Sequence, residues 1–186
     1  GWINDISSTQ DLPIITPADA LRGVAYGNNA YGKAALAYHA LLDLLGETVF
    51  KKCLREFMFR WNGKHPTPWD FFNTFNNVSG KNLDWFWQNW FFSPNYIDLK
   101  AVSLTGANNA YKLRVENKGG FVVPFTISIR YVDGTKESKS FGTAAWSANQ
   151  KTISLPLSSK KKIKTVVIET GIFMDAFEED NTVSAK

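Results

Sequence analysis

Two tyrosines, Tyr26 and Tyr31, are the residues of this sequence whose type and spacing could do chemistry. They lie in a Gly/Asn-rich segment directly before a long apolar run, in the stretch YGNNAYGKAALAYHALLDLL at residues 26–45. A tyrosine phenol remains protonated at neutral pH and donates a strong hydrogen bond, so a phenol held at the edge of a cleft can stabilise an oxyanion. From spacing alone, the alternative is that both rings flank a loop and pack on the helix.

The sequence offers few other reactive groups. His39 and His65 are the only histidines, and neither has a second His or Cys at the spacing of metal ligands. We expect His39 in the core of the apolar helix and His65 in a loop, before a proline. Cys53 falls on the apolar side of a helix, where a free cysteine is usually a core residue. We therefore predict no metal-binding and no cofactor-binding residue in this chain.

Charge and hydropathy exclude some partners and leave the compartment open. The net charge of +4 is mild and spread along the chain, which predicts no nucleic-acid partner. No apolar run approaches the roughly 20 residues of a membrane span. For the lysines of 160–164 an exposed loop is favoured over an anion site. Near the end of the sequence a solvated acidic tail is favoured over a calcium site, and its members are Asp175, Glu178, Glu179 and Asp180.

The first half of the sequence has helical periodicity. The apolar run is predicted to be a helix from about Tyr31 to Gly46, and its nearly complete lack of a polar face is typical of a helix buried on all sides. A T-x-x-D capping box starts another helix at Thr67. The remaining predicted helices are a short one after Thr16, an amphipathic one over Glu47–Trp61 and one over Leu83–Phe91, where apolar residues have helical spacing.

The second half alternates between apolar and polar residues. Asp133–Gly134 is a strong two-residue hairpin signal. Strands are predicted over Ile97–Leu104, Tyr111–Glu116, Phe125–Tyr131, Thr135–Phe141, Lys151–Leu157 and Lys164–Glu169. Short strands at this spacing without intervening helices favour an antiparallel β-sandwich. The sequence therefore predicts an α+β multidomain chain, with an all-α region over 1–94 and a β-sandwich domain over 95–186.

Several linked motifs make the chain similar to a known enzyme family. The segments AYGNNAYGKAAL, LGETVF, RWNGKHPTPWDFF and LDWFWQNWF occur in this order. Together they resemble the zinc aminopeptidases of the aminopeptidase N and leukotriene hydrolase family, in the gluzincin clan, and above all bacterial members in which a β-sandwich follows the helical region. The likeness covers Thr16 to about Phe92 and continues more weakly through the sandwich. It implies that the helical region is the C-terminal part of a gluzincin catalytic domain.

The resemblance also implies roles for the two tyrosines. In that family an H-E-x-x-H helix and a later Glu bind zinc, the Glu of the motif activates water, and a G-x-M-E-N segment holds the substrate's amino terminus. A downstream tyrosine in a Y-x-K-G-like segment hydrogen-bonds the oxyanion, and Tyr31 matches it. Tyr26 matches a second cleft tyrosine of some members. This sequence has neither H-E-x-x-H nor G-x-M-E-N, so no zinc ligand is carried over.

These features lead to an expectation and two alternatives. We expect a C-terminal fragment of a zinc aminopeptidase, beginning after the metal site with Gly1 in place of Met and inactive alone. Its expected partners are a peptide substrate in the parent enzyme, the missing catalytic half, and a second copy through the exposed helical face. The first alternative is a non-catalytic protein- or peptide-binding module with a β-sandwich. The second is a family member that has lost its metal site.

Overall fold

The computed structural model describes residues 11–186. The chain divides into two compact units, with the division between Pro94 and Asn95. The first unit is helical and the second consists of antiparallel sheets. The fold class predicted from the sequence, a helical region followed by an antiparallel β-sandwich, is therefore confirmed. The first ten residues of the predicted helical region lie outside the described part of the chain.

The helical unit contains five α-helices and one π-helical turn between residues 11 and 94. Gly46, with φ of 76°, separates the two longest helices, because glycine adopts this conformation without steric penalty. None of the helices described here is long and apolar enough to cross a membrane. The elements are α1 (Gly23–Gly27), the π-turn (Asn28–Gly32), α2 (Lys33–Leu45), α3 (Glu47–Trp61), α4 (Pro68–Ser79) and α5 (Asp84–Phe91).

The capping box predicted at Thr67 starts α4. The backbone N–H and the hydroxyl of Thr67 each donate to the Asp70 carboxylate at 2.7 Å, and Pro68 occupies the first turn. These contacts satisfy a helix end that would otherwise leave backbone donors unpaired. Gly80 ends the helix in the left-handed conformation, with φ of 67°.

An aromatic cluster between α4 and α5 forms the core of the helical unit. Phe72 stacks on Trp87 with ring centroids 4.8 Å apart, and Phe71 and Phe75 are 4.4 Å apart. The Trp87 indole N–H donates to the Asn76 side chain at 2.9 Å, which satisfies the polar atom of a buried ring. The regular Trp and Phe spacing therefore forms a core here, as the sequence predicts. Trp69 is the exception, since half of it is exposed.

The second unit contains seven strands in two antiparallel sheets. One sheet has the order β1-β2-β5 and the other β4-β3-β6-β7. A bridge between Leu104 and Ala185 connects β1 to the end of β7. The strands are β1 (Leu99–Ala107), β2 (Ala110–Asn117), β3 (Phe125–Tyr131), β4 (Lys136–Phe141), β5 (Thr152–Ser158), β6 (Ile163–Glu169) and β7 (Thr182–Ser184).

Alternation along the strands builds the interior of this unit. Every second residue of β2 and β3 is buried, as expected for strands with one face on a core. The hairpin predicted at Asp133–Gly134 joins β3 and β4, and the Asp133 carboxylate accepts the Thr135 N–H at 2.9 Å. Trp146 is fully buried, and its indole N–H donates to the Val123 carbonyl at 2.9 Å.

Three sequence expectations need correction. The Gly/Asn-rich segment before the apolar run is helical rather than a loop, because α1 and the π-turn precede α2 directly. Helix α2 is not buried on all sides, since Tyr38 and His39 are exposed. His39 is therefore not a core histidine. The short strand β7 was not predicted, because three residues are too few to show a period.

Candidate functional site

Tyr26 and Tyr31 contact each other on a continuous helical segment. Their rings meet edge to face, with centroids 6.4 Å apart and planes inclined by 71°. In a regular α-helix, residues five apart are separated by about 140° around the axis. The π-turn between Gly27 and Lys33 contains an extra residue, which reduces that angle. The π-turn therefore explains how two side chains at this spacing come into contact.

Both tyrosines are accessible to a ligand. Tyr31 is 68% exposed and Tyr26 is 46% exposed. Within residues 11–186, neither hydroxyl takes part in a hydrogen bond, so both are available to a new acceptor. The structure brings the two predicted site residues together on one surface.

The opposite face of the π-turn is buried against residues 11–13. The fully buried Lys33 ammonium donates to the Asp11 carboxylate at 2.9 Å and to the Leu12 carbonyl at 2.6 Å. The Asn29 side-chain amide, also buried, donates to the Pro13 carbonyl at 3.0 Å. The pKa of Lys33 is lowered overall. Burial is the largest cause, and the hydrogen bond from Lys33 to Asp11 and the opposite charges of the two side chains offset it only in part.

Sequence reasoning did not single out Lys33 and Asn29. Their spacing of four places them on one helical face, and that spacing was a usable signal. Their partners could not be found in this way, because Asp11 precedes Lys33 by 22 residues in an irregular segment. The site is therefore larger than the two tyrosines: one face of the turn is exposed and the other is anchored.

An open apolar groove of about 750 Å³ lies elsewhere in the helical unit. It is bounded by residues 14–17 and by side chains of α2, α3 and α4, and it includes Tyr38 but neither Tyr26 nor Tyr31. Met58 borders it and is more than half exposed. The amphipathic face of α3 is therefore only partly covered by the described residues.

The residues considered as metal ligands are dispersed. His39 and His65 are exposed, and Cys53 is buried beside the Phe75 carbonyl. Between residues 11 and 186, no group of three or more His, Cys, Asp and Glu side chains could hold a metal ion. The described residues therefore provide no set of ligands that fits zinc.

The charged clusters of the second unit have structural contacts. Asp175 is buried, and its carboxylate accepts the Leu99 N–H at 2.8 Å. Asp180 pairs with Lys118 at 3.0 Å. These two members of the acidic cluster therefore belong to the fold, whereas Glu178 and Glu179 are exposed as expected of a solvated tail. The three lysines of 160–162 are exposed, as predicted for a loop.

Lys118 also lies 3.6 Å from the carboxylate of Asp98, which is fully buried. Within the described part of the chain, neither Asp98 oxygen has a hydrogen-bond partner. Burial raises the pKa of Asp98 to about 6, the charges of Asp175 and Asp180 also raise it, and the Lys118 charge acts in the opposite direction.

Comparisons with known proteins cover the helical unit by sequence and most of the chain by structure. Residues 7–90, a little under half of the chain, match the sequence model of the peptidase family M1 domain. A solved structure of Legionella pneumophila aminopeptidase A in complex with aspartic acid is similar, with 18% identity and a TM-score of 0.49. The alignment covers 87% of this chain and 18% of the Legionella chain. A search of curated proteins found no match.

Proposed function

We propose, from the match of residues 7–90 to the peptidase family M1 domain, that the chain is the C-terminal part of a zinc aminopeptidase. The parent enzyme would remove residues from the amino terminus of peptides. The observation that carries the proposal is that Tyr31 lies in the matched segment, exposed and in contact with Tyr26. The resemblance described above gives a tyrosine at this position the role of hydrogen-bonding the oxyanion.

In this proposal Tyr31 acts as a hydrogen-bond donor. When a peptide carbonyl becomes tetrahedral, its oxygen gains negative charge, and the Tyr31 O–H donates to that oxygen. A donor held in place before the reaction stabilises this charge without reorganising. Tyr26 supports the donor through its ring contact, which restricts how far the Tyr31 ring can turn. It is also the candidate for a second tyrosine at the edge of the cleft.

Zinc is assigned to the parent enzyme and not to these residues. The family resemblance implies a zinc ion, but the described residues provide no ligand set that fits it, and the sequence has no H-E-x-x-H motif. No step of the reaction is therefore assigned to a metal on this chain. The proposal predicts that the purified chain binds no stoichiometric zinc and does not hydrolyse an aminoacyl anilide.

The exposed surface around the tyrosines is evidence for a further part of the enzyme that binds there. Val24, Tyr26, Tyr31 and Tyr38, all between the start of α1 and the end of α2, are each at least 40% exposed. Exposed apolar surface of this kind is typical of interaction sites. We propose that the zinc-binding half of the parent enzyme covers it, and that isolated chains associate through it.

The proposed role of Tyr31 is tested with Tyr31→Phe in a longer protein that carries the zinc ligands. Loss of one oxyanion donor should lower kcat by roughly a hundred- to a thousandfold, with little change in KM, because the hydrogen bond forms mainly in the transition state. Tyr26→Phe is the matched control and should have a smaller effect. Unchanged kcat in Tyr31→Phe would show that the role given to Tyr31 is wrong.

The apolar groove favours a second candidate function, a non-catalytic module that binds an apolar peptide segment. In that case, fluorescence titration of the chain with apolar helical peptides should show saturable binding that is weakened by Met58→Glu. Binding at this groove without any activity in the longer protein would favour the module over the peptidase fragment.

A further inference from the structure

Lys33 is a buried cation in an unusual place. It is the first residue of α2 and directly follows the π-turn that carries Tyr31. Its side chain is fully buried, yet its ammonium group reaches the Asp11 carboxylate and the Leu12 carbonyl. Removing an ammonium group from water is expensive, and an apolar side chain of similar volume would often serve stability equally well. The contacts of Lys33 therefore point to a role other than stability.

Asn29 makes a parallel contact from the other end of the same turn. Its amide donates to the Pro13 carbonyl at 3.0 Å, next to the carbonyl that Lys33 binds. We call these two side chains and residues 11–13 the Lys33–Asn29 clamp. The clamp is part of a larger connection, because the Ile15 N–H donates to the Phe91 carbonyl at 2.9 Å, which ties the same segment to the end of α5.

The clamp and Tyr31 lie on opposite sides of the turn. Tyr31 is two residues after Asn29 and two residues before Lys33, and two residues correspond to roughly half a turn in an α-helix or a π-turn. The burial pattern agrees, since Asn29 and Lys33 are buried and Tyr31 is exposed. Anchoring the turn at both ends of one face therefore fixes the direction in which the opposite face points.

We propose that Lys33 is a positioning residue for Tyr31: together with Asn29, it holds the π-turn against residues 11–13 and so sets the direction of the Tyr31 phenol. Lys33 does not touch the substrate. Its importance for catalysis rests on the function proposed above for Tyr31, whereas its effect on the geometry of the turn does not. The two statements are therefore tested separately.

The geometric statement is tested on the chain itself by NMR with ring-labelled tyrosine. The probe is the nuclear Overhauser contact between the Tyr26 and Tyr31 rings, assigned with Tyr26→Phe and Tyr31→Phe. Lys33→Met should weaken or abolish this contact, and Asn29→Ala should change it in the same direction. Thr74→Val is the matched control, because it removes a different buried hydrogen bond of the helical unit, from the Thr74 hydroxyl to the Asp70 carbonyl at 2.6 Å.

Two results would overturn the geometric statement. One is an unchanged ring contact in a folded Lys33→Met variant. The other is an equal change in Thr74→Val, which would show that any loss of stability disturbs the tyrosines. If Lys33→Met does not fold, Lys33→Met combined with Asp11→Leu removes both charges. This double variant should fold again, because an apolar pair replaces a buried ion pair at little cost, but it should not restore the ring contact.

The catalytic consequence is tested by a double-mutant cycle in the longer protein that carries the zinc ligands. Lys33→Met should lower kcat roughly ten- to a hundredfold with KM nearly unchanged, because a displaced donor costs transition-state stabilisation. In a Tyr31→Phe background it should lower kcat no further. An equal fall in both backgrounds would overturn the positioning role. If Tyr31→Phe alone had no effect, the proposed function would fail while the NMR result would stand.

Discussion

Replacing Asp98 by asparagine should stabilise the β-sandwich at neutral pH, and this gain should disappear in acid. The side chain is fully buried, and neither of its oxygens accepts a hydrogen bond from a described residue. The nearest cation, Lys118, is 3.6 Å away, which is too long for a hydrogen bond. Burial, the largest cause, therefore raises the pKa of Asp98 from its ordinary value of 3.8 to about 6.

The size and sign of the effect follow from this pKa. Between pH 4 and pH 6 the folded chain holds a proton on Asp98 that the unfolded chain has released, so the free energy of unfolding falls as pH rises through this window. A pKa difference of about two units corresponds to about 3 kcal/mol. An asparagine side chain does not titrate, so the free energy of unfolding of Asp98→Asn does not fall in this way as pH rises. Its stability relative to the natural chain should therefore increase by about 3 kcal/mol between pH 3.5 and pH 7.

The measurement is urea denaturation of both chains at a series of pH values. Trp146 is the only tryptophan after residue 95, so the 19F resonance of its 5-fluoro derivative reports the sandwich alone. Asp133→Asn is the matched control. Hydrogen bonds from Thr135 lower the pKa of the exposed Asp133 to about 2. The difference in free energy of unfolding between Asp133→Asn and the natural chain should therefore be constant from pH 5 to pH 7. A constant difference for Asp98→Asn would refute the argument, because Lys118 would then fully compensate the buried charge.

Two further predictions concern the helical unit. Thr67→Ala should lower its free energy of unfolding by about 1 kcal/mol, because the variant loses the hydroxyl of the capping box. Thermal unfolding followed by tryptophan fluorescence measures this loss, and an equal loss in Thr67→Ser, which keeps a hydroxyl, would contradict it. The buried Cys53 thiol should react with a disulfide reagent roughly a hundredfold or more slowly before unfolding than after it, since burial also raises its pKa. Rapid stoichiometric labelling of the native chain would contradict this.

The helices and strands that the sequence predicts correctly are those marked by residues close together in the chain. Helix α3 was predicted over Glu47–Trp61 and β3 over Phe125–Tyr131, and the structure has both with these bounds. A continuous 3.6-residue period marks the first, and strict alternation marks the second. The start of α4 was predicted from Thr67 and Asp70 alone, because a capping box joins groups only three residues apart.

The candidate site was predicted only in part, because its supports are not local. Tyr31 and Tyr26 were identified from motifs, but the π-turn between them was missed, since one extra residue leaves no periodic signal. In the sequence, Lys33 is marked only by its place in the segment that contains Tyr31. Its burial depends on Asp11, which lies 22 residues earlier. The raised pKa of Asp98 depends in the same way on distant residues, because burial by the folded sheets and the charges of the C-terminal segment cause it.

The hydrogen bond from the Leu99 N–H to the Asp175 carboxylate joins residues 76 positions apart, and this separation affects folding during synthesis. At about 5–20 residues per second, roughly 4–15 s pass on the ribosome between the two residues. Over that interval the nascent β1 and β2 can form a hairpin, but the outer edge of β1 lacks the pairing that Ala185 later makes beside Leu104. An open strand edge is a template for wrong pairing. The interval before Ala185 emerges is therefore when β1 is most exposed to aggregation.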